Sequence, residues 1–240
     1  MKKILLPLFL LSATTTVTFG QGSLLKKASG LLDKSKGGSL SNDDIVAGLK
    51  EALSVGAQNS ASKLSAIDGF FGNAAIKVLM PEEAKKVESA LRSAGMGKLV
   101  DDAILSMNRA AEDASKSAAP IFVDAVKTMS FNDALGILKG SDTAATSYLK
   151  GKTLSPLTEA FRPTIEGALA KTDATKYWKT LFDTYNKLPT TFKKINPDLT
   201  AYVTDRALSG LFFQVAQEEQ KIRKDPAARV TDVLKKVFGS

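Results

Sequence analysis

The residues of this sequence with the means for acid–base chemistry are its carboxylates, and four adjacent pairs stand out: Asp43/Asp44, Glu82/Glu83, Asp101/Asp102 and Glu218/Glu219. Two carboxylates can divide acid and base roles when their surroundings push their pKa values apart. Neighbours on a helix point about 100° apart, so none of these pairs is a dyad by itself. The first two pairs also fall in first helical turns, where the helix dipole favours negative charge and accounts for them. The chain of 240 residues contains no His and no Cys. That composition excludes disulfides, thiolate nucleophiles, His-based triads, and zinc, haem or iron–sulfur centres held by His or Cys. No metal and no cofactor is expected. Ser60-Ala61-Ser62-Lys63 approaches a Ser/Lys arrangement, but such a run is common on a polar helix. No nucleophile elbow, phosphate-binding glycine loop, dinucleotide fingerprint or calcium loop occurs. The reading leans away from an enzyme.

Three other groups of residues could bind rather than react. Asn108 and Arg109 lie in the Ala-rich middle of a long helical pattern, where Arg109 can pair with Glu112 at i,i+3. Such a cluster could line a cleft, joined there by Asp133 and Glu219. The plainer reading is an ion pair that bridges to another helix, with Asp205-Arg206 as a reasonable partner. Phe70 and Phe71, bracketed by Gly69 and Gly72, either plug the core or form an exposed anchor for a partner. The basic C-terminal stretch (Lys221, Arg223, Lys224, Arg229, Lys235, Lys236) could meet an anionic envelope surface. Glu218, Glu219, Asp225 and Asp232 are interspersed, which favours a solvated face. Aromatics are not interleaved with these basic residues, so nucleic acid is not an expected partner.

The elements that must position these groups read as helices almost throughout. Ser41 or Asn42 caps a helix to about Lys63 with Ile45, Leu49, Ala52 and Leu53 on its buried side. The stretch after it is the least helical, and Ile76-Lys77-Val78 alternates briefly, so at most a very short β element is expected near 74–79. Pro81 opens a helix that Gly95-Met96-Gly97 ends. Ala103, Met107, Ala110, Ala114, Ala118, Ile121 and Ala125 form one helical stripe, which Pro120 should kink or split. Ser130 caps a helix, Ser141 the next, Pro156 opens another, and Thr172 or Asp173 caps one that ends at Pro189. A long helix then runs from Asn196-Pro197 to about Lys224, with Leu199, Val203, Ala207, Leu208, Leu211, Phe212 and Val215 buried. A last helix buries Val230, Val233, Leu234, Val237 and Phe238. The expected fold is all-α, an irregular multi-helix bundle of about eight to ten helices.

Met1-Lys2-Lys3, the apolar run Ile4–Leu11 and the small polar stretch that follows have the three regions of a secretory signal peptide. Cleavage near Gly20 would remove residues 1–20 and take the formal charge from +8 to +6, since two lysines leave with it. The apolar run is about half the ~20 residues of a spanning helix, so no transmembrane segment is expected in the mature protein. Residues 21–42 read as a flexible arm with a possible short amphipathic helix, and 43–240 as a single helical domain. An exported, periplasmic location follows, with a fold held by packing alone.

Several stretches carry a resemblance: DGFFGN at 68–73, SMNRAAEDA at 106–114, FVDAVKTMSFNDALGILKG at 122–140, DTAATSYLK at 142–150, and the long run from Tyr202 to Gly239. Over about residues 23–239 the chain resembles a family of exported bacterial proteins catalogued as a domain of unknown function. The resemblance implies a single helical domain behind a signal peptide, chiefly in Gram-negative bacteria. It implies no activity, ligand or catalytic residue. The functional expectation is a binding or scaffold module for a protein or cell-envelope component. Its alternatives are an apolar-ligand binder holding an acyl chain within the bundle, and a carboxylate-dependent hydrolase of envelope polymers.

Overall fold

A computed structural model describes residues 41–172, 178–179, 182–183, 186–187, 194 and 198–225. The expected signal peptide, the expected arm up to residue 40, the last expected helix and most of the one expected to end at Pro189 lie outside the described residues. The regular elements are α1 (Asn42–Ser65), a 3-10 turn (Glu82–Ala84), α2 (Lys85–Ser93), α3 (Gly97–Ser115), α4 (Ala118–Lys127), α5 (Phe131–Lys139), α6 (Ala144–Leu169) and α7 (Leu199–Lys224). The described residues contain helices and no strand, so the fold is all-α.

Local signals explain most boundaries. Asp43 and Asp44 sit in the first turn of α1 and Lys63 in its last, as the dipole favours. Ser130 forms a reciprocal capping box with Asp133 at the start of α5. Gly95 takes φ +80° just after α2, a left-handed conformation that suits glycine. The break between α3 and α4 falls at Lys116-Ser117, which places Pro120 in the first turn of α4, where its missing N–H matters least.

Among the described residues the helices number fewer than the eight to ten expected, and α6 shows why. It starts after Thr143, not Ser141, and continues through both Pro156 and Pro163 to Leu169. A proline inside a helix costs about 3 kcal/mol. Opposing that cost, Leu149, Thr153, Leu157, Phe161, Ile165 and Leu169 form an unbroken stripe at steps of four, all buried. Keeping five large apolar side chains out of water is worth about 1.5–3 kcal/mol each, so the stripe wins.

Helix α7 packs against α6, α1 and α3, while α6 also packs on α3 and α4. Every member of the expected α7 stripe is buried. Phe122 of α4 meets Phe212 of α7 edge-on, with centroids 5.9 Å apart. No strand forms at 74–79, within the expectation of at most a very short β element there. Residues 77–80 run without regular structure, because a side chain of α3 supplies the hydrogen bonds a neighbouring strand would give.

Candidate functional site

The connection from Ala66 to Met80 joins α1 to the 3-10 turn, and its backbone is held by side chains of α3 and α7. It begins with Asp68 at φ 66°, a left-handed conformation that Asp tolerates better than most residues. Gly69 follows where the chain presses on the end of α1: a Cβ there would lie 2.5 Å from the Leu64 carbonyl oxygen. The Phe70 ring then enters the core and is fully buried, while Phe71 is half-buried.

Three side chains of α3 meet this turn. Glu112 Oε1 accepts the Phe70 and Phe71 N–H groups, both at 3.1 Å. Arg109 donates from one terminal nitrogen to Glu112 Oε2 at 2.6 Å and from the other to Asp68 Oδ1 at 2.8 Å. Asn108 is fully buried, and its amide accepts from Val78 N–H and donates to Val78 O. From α7, the Tyr202 hydroxyl donates to Leu79 O at 2.7 Å. The loop's midpoint and its exit are therefore both tied down. Lys77 Nζ stands 3.7 Å from the centre of the Phe71 ring and the Arg109 guanidinium 5.7 Å from it, so a cation flanks the aromatic face. Glu112, and Asp68 after it, raise the Arg109 pKa above the ordinary arginine value. Burial raises that of the Tyr202 hydroxyl.

Phe70, Phe71, Asn108, Arg109 and Glu112 are thus brought together. The bridge from Arg109 runs to Asp68, however, and not to Asp205-Arg206. Asp133 and Glu219 stand elsewhere. Asp133 is half-buried and serves the capping box of α5, where the Ser130 hydroxyl and N–H hold its carboxyl below the usual range.

Glu219 builds a second arrangement of the same kind. Its two oxygens accept the Ala145 and Thr146 N–H groups at 2.9 and 2.8 Å, at the start of α6. The Thr146 hydroxyl donates to it as well, and Arg223 one turn on donates from two nitrogens to Oε1. Arg223 also reaches Ile137 O at 2.7 Å, tying α5 to the same point. In both arrangements a buried glutamate receives two consecutive backbone N–H groups and an arginine from its own helix.

This use of the carboxylates bears on chemistry. Both oxygens of Glu112 and of Glu219 already accept from the protein, and they occupy separate places. Among the described residues, no group of three or more Asp or Glu converges in a way that could hold a metal ion. An apolar cleft beside Glu219 measures about 30 Å³, room for a water and far less than an acyl chain occupies.

Asp68, Lys77, Tyr202 and Arg223 were not singled out as members of these arrangements. Arg223 carried a local signal, since it follows Glu219 at i,i+4. Glu219 itself continues the buried series Leu211, Val215 at a step of four, and Glu112 stands four residues after buried Asn108. A charged residue on an apolar stripe is such a signal. Nothing local marks Asp68 beyond its place before a glycine.

No helix of the described residues is long and apolar enough to cross a membrane. No curated protein and no solved structure matches the chain. The model of a family described as protein of unknown function (DUF4197) matches residues 39–239, which takes in the stapled loop, both buried glutamates and every helix described, and the chain belongs to that family.

Proposed function

We propose that this protein is a non-catalytic binding module of the exported compartment, and that its contact surface is the outer flank of the loop 66–80. What supports the reading is a contrast within a few residues. Inside, the loop backbone is fixed to Glu112, Asn108 and Tyr202. Outside, Ile67 is 82% exposed and Leu79 51% exposed. Two large apolar side chains, well exposed at the two ends of one short fixed loop, offer surface that a partner can bury. A loop already fixed in one conformation loses little entropy when it is covered. The occupant in this reading is an envelope protein that presents an apolar patch. The use of the buried carboxylates in holding backbone favours binding over hydrolysis.

The test is affinity capture from the exported fraction of the source cells, comparing wild type with Ile67→Asp and Leu79→Asp. Val55→Asp, on the exposed side of α1, is the control. Both loop positions are exposed, so their stability should change by no more than about 0.5 kcal/mol. A protein captured by wild type and Val55→Asp but lost with both loop variants supports the proposal. Identical recovery with all four proteins would overturn it.

A further inference from the structure

A second surface lies where the end of α1, the Asn73–Ala75 turn and the last three turns of α7 meet. It is an open groove of about 590 Å³. Phe213, Gln217, Gln220 and Lys221 line it from α7, with Lys63 from α1 and Asn73 from the loop. Phe213, Gln217, Gln220 and Lys224 follow at steps of four, three and four, and Lys221 stands four after Gln217, so they share one helix face. From Phe213 to Lys224 that face extends about 16 Å, long enough for an extended chain.

The chemistry of the lining is specific. The side chains of Gln217, Gln220, Lys63 and Lys221 make no hydrogen bond or ion pair with the described residues, and Gln217, Lys63 and Lys221 are exposed. Lys224, which also lines the groove, pairs with Asp142 at 2.8 Å. The groove's own carboxylate, Glu218, accepts from Gln214 at 3.0 Å. The side chains facing the groove therefore offer amides, which can donate and accept at once, and three ammonium groups, those of Lys63, Lys221 and Lys224, against the one carboxylate of Glu218. Phe213, 41% exposed, adds one flat apolar wall.

We propose that this groove binds an acidic glycan, a saccharide strand with carboxylate groups. Amides suit neighbouring hydroxyls because each hydroxyl both gives and takes a hydrogen bond. Lysines suit the carboxylates, and an aromatic face suits the C–H face of a sugar ring. An acidic peptide is the competing occupant. Acidic-peptide sites use clusters of arginines, whose forked guanidinium holds a carboxylate at two points, and the lining described here has lysines and no arginine. The proposal does not depend on the Ile67–Leu79 contact surface.

The experiment is a titration of the full chain with tetragalacturonate, followed by calorimetry and by the side-chain NH2 signals of Gln217 and Gln220 in NMR. Maltotetraose and tetraglutamate serve as the neutral-sugar and acidic-peptide probes. Saturable binding of tetragalacturonate that moves both glutamine signals is expected, with maltotetraose at least tenfold weaker. Lys221→Glu should weaken it at least tenfold. Lys139→Glu, a charge change of equal size on α5, should stay within twofold. Gln217 and Lys221 are exposed, so an unchanged urea midpoint will accompany these losses. The proposal is overturned by absence of saturable binding, by tetraglutamate binding as tightly through the same signals, or by equal losses in the two lysine variants.

Discussion

The side-chain amide of Asn108 and the backbone of Val78 exchange two hydrogen bonds, each 2.8 Å long, across thirty positions of sequence. The amide does for this segment what an adjacent strand does in a sheet, offering one acceptor and one donor to the same residue. A third bond, from Asn108 Nδ2 to Ile104 O at 2.7 Å, fixes the side chain against its own helix. Asn108→Asp replaces the donor with a second acceptor, facing two carbonyl oxygens in a buried place. A loss of about 2–4 kcal/mol in urea unfolding is expected. Hydrogen exchange at the Val78 amide should quicken, and unchanged exchange would contradict the role assigned to Asn108.

Glu112 and Arg109 should not be equivalent. The Glu112 side chain is 5% exposed, whereas that of Arg109 is 39% exposed. Glu112→Ala strands two backbone N–H groups and leaves Arg109 with Asp68 alone, and should cost about 3 kcal/mol. Arg109→Ala removes a partly solvated partner while both backbone donors stay in place, and about 1 kcal/mol is expected. Chemical denaturation of the two variants separates these outcomes, and equal losses would show that the arginine is the essential member.

Gly210 lets α7 approach the loop. A Cβ there would stand 2.6 Å from Phe70 Cε1, and the Phe70 ring is fully buried. Gly210→Ala should therefore destabilise by about 1–3 kcal/mol, although alanine is the better helix former. Phe70→Leu in the same chain should return part of that loss. Thermal unfolding of the single and double variants reads the coupling, and strict additivity would mean that the two residues do not press on each other.

Asp198 gives the clearest dependence on pH. Its carboxylate accepts the Ala201 N–H at 2.9 Å as the cap of α7 and pairs with Arg162 at 2.8 Å. The backbone bond first, and Arg162 second, hold its pKa below the usual value. A carboxyl lowered in the folded state adds stability above its unfolded pKa of about 3.9, and that contribution disappears as pH falls through the folded value. Asp198→Ala should cost about 1 kcal/mol at pH 7. The difference from wild type should shrink below about pH 4. A gap that persists unchanged into acid would assign the loss to packing instead of charge.

Much of this architecture is legible in the sequence because its causes are local. Ser130, Gly95 and the α7 stripe act within a few residues of themselves, and their helices begin, end and face as periodicity and capping dictate. Pro156 misleads for the opposite reason: its local preference is outweighed by five apolar side chains that find their partners on α3, α4 and α7. The Arg109–Glu112 pair is visible as an i,i+3 spacing. What it holds is not visible, because Phe70 and Phe71 arrive from more than forty residues away. Glu219 is equally mute, since Ala145 and Thr146 lie more than seventy residues before it. Polar residues on apolar stripes announce that a buried partner exists, but only the fold says which one.

The proposed contact surface is tested most directly by a photoreactive amino acid at position 67 of the full chain, irradiated in living source cells. A single protein adduct is expected at 67 and not at position 55, and its yield should drop when Leu79→Asp is added. Adducts of the same pattern at both positions, or at neither, would contradict a partner seated on this loop.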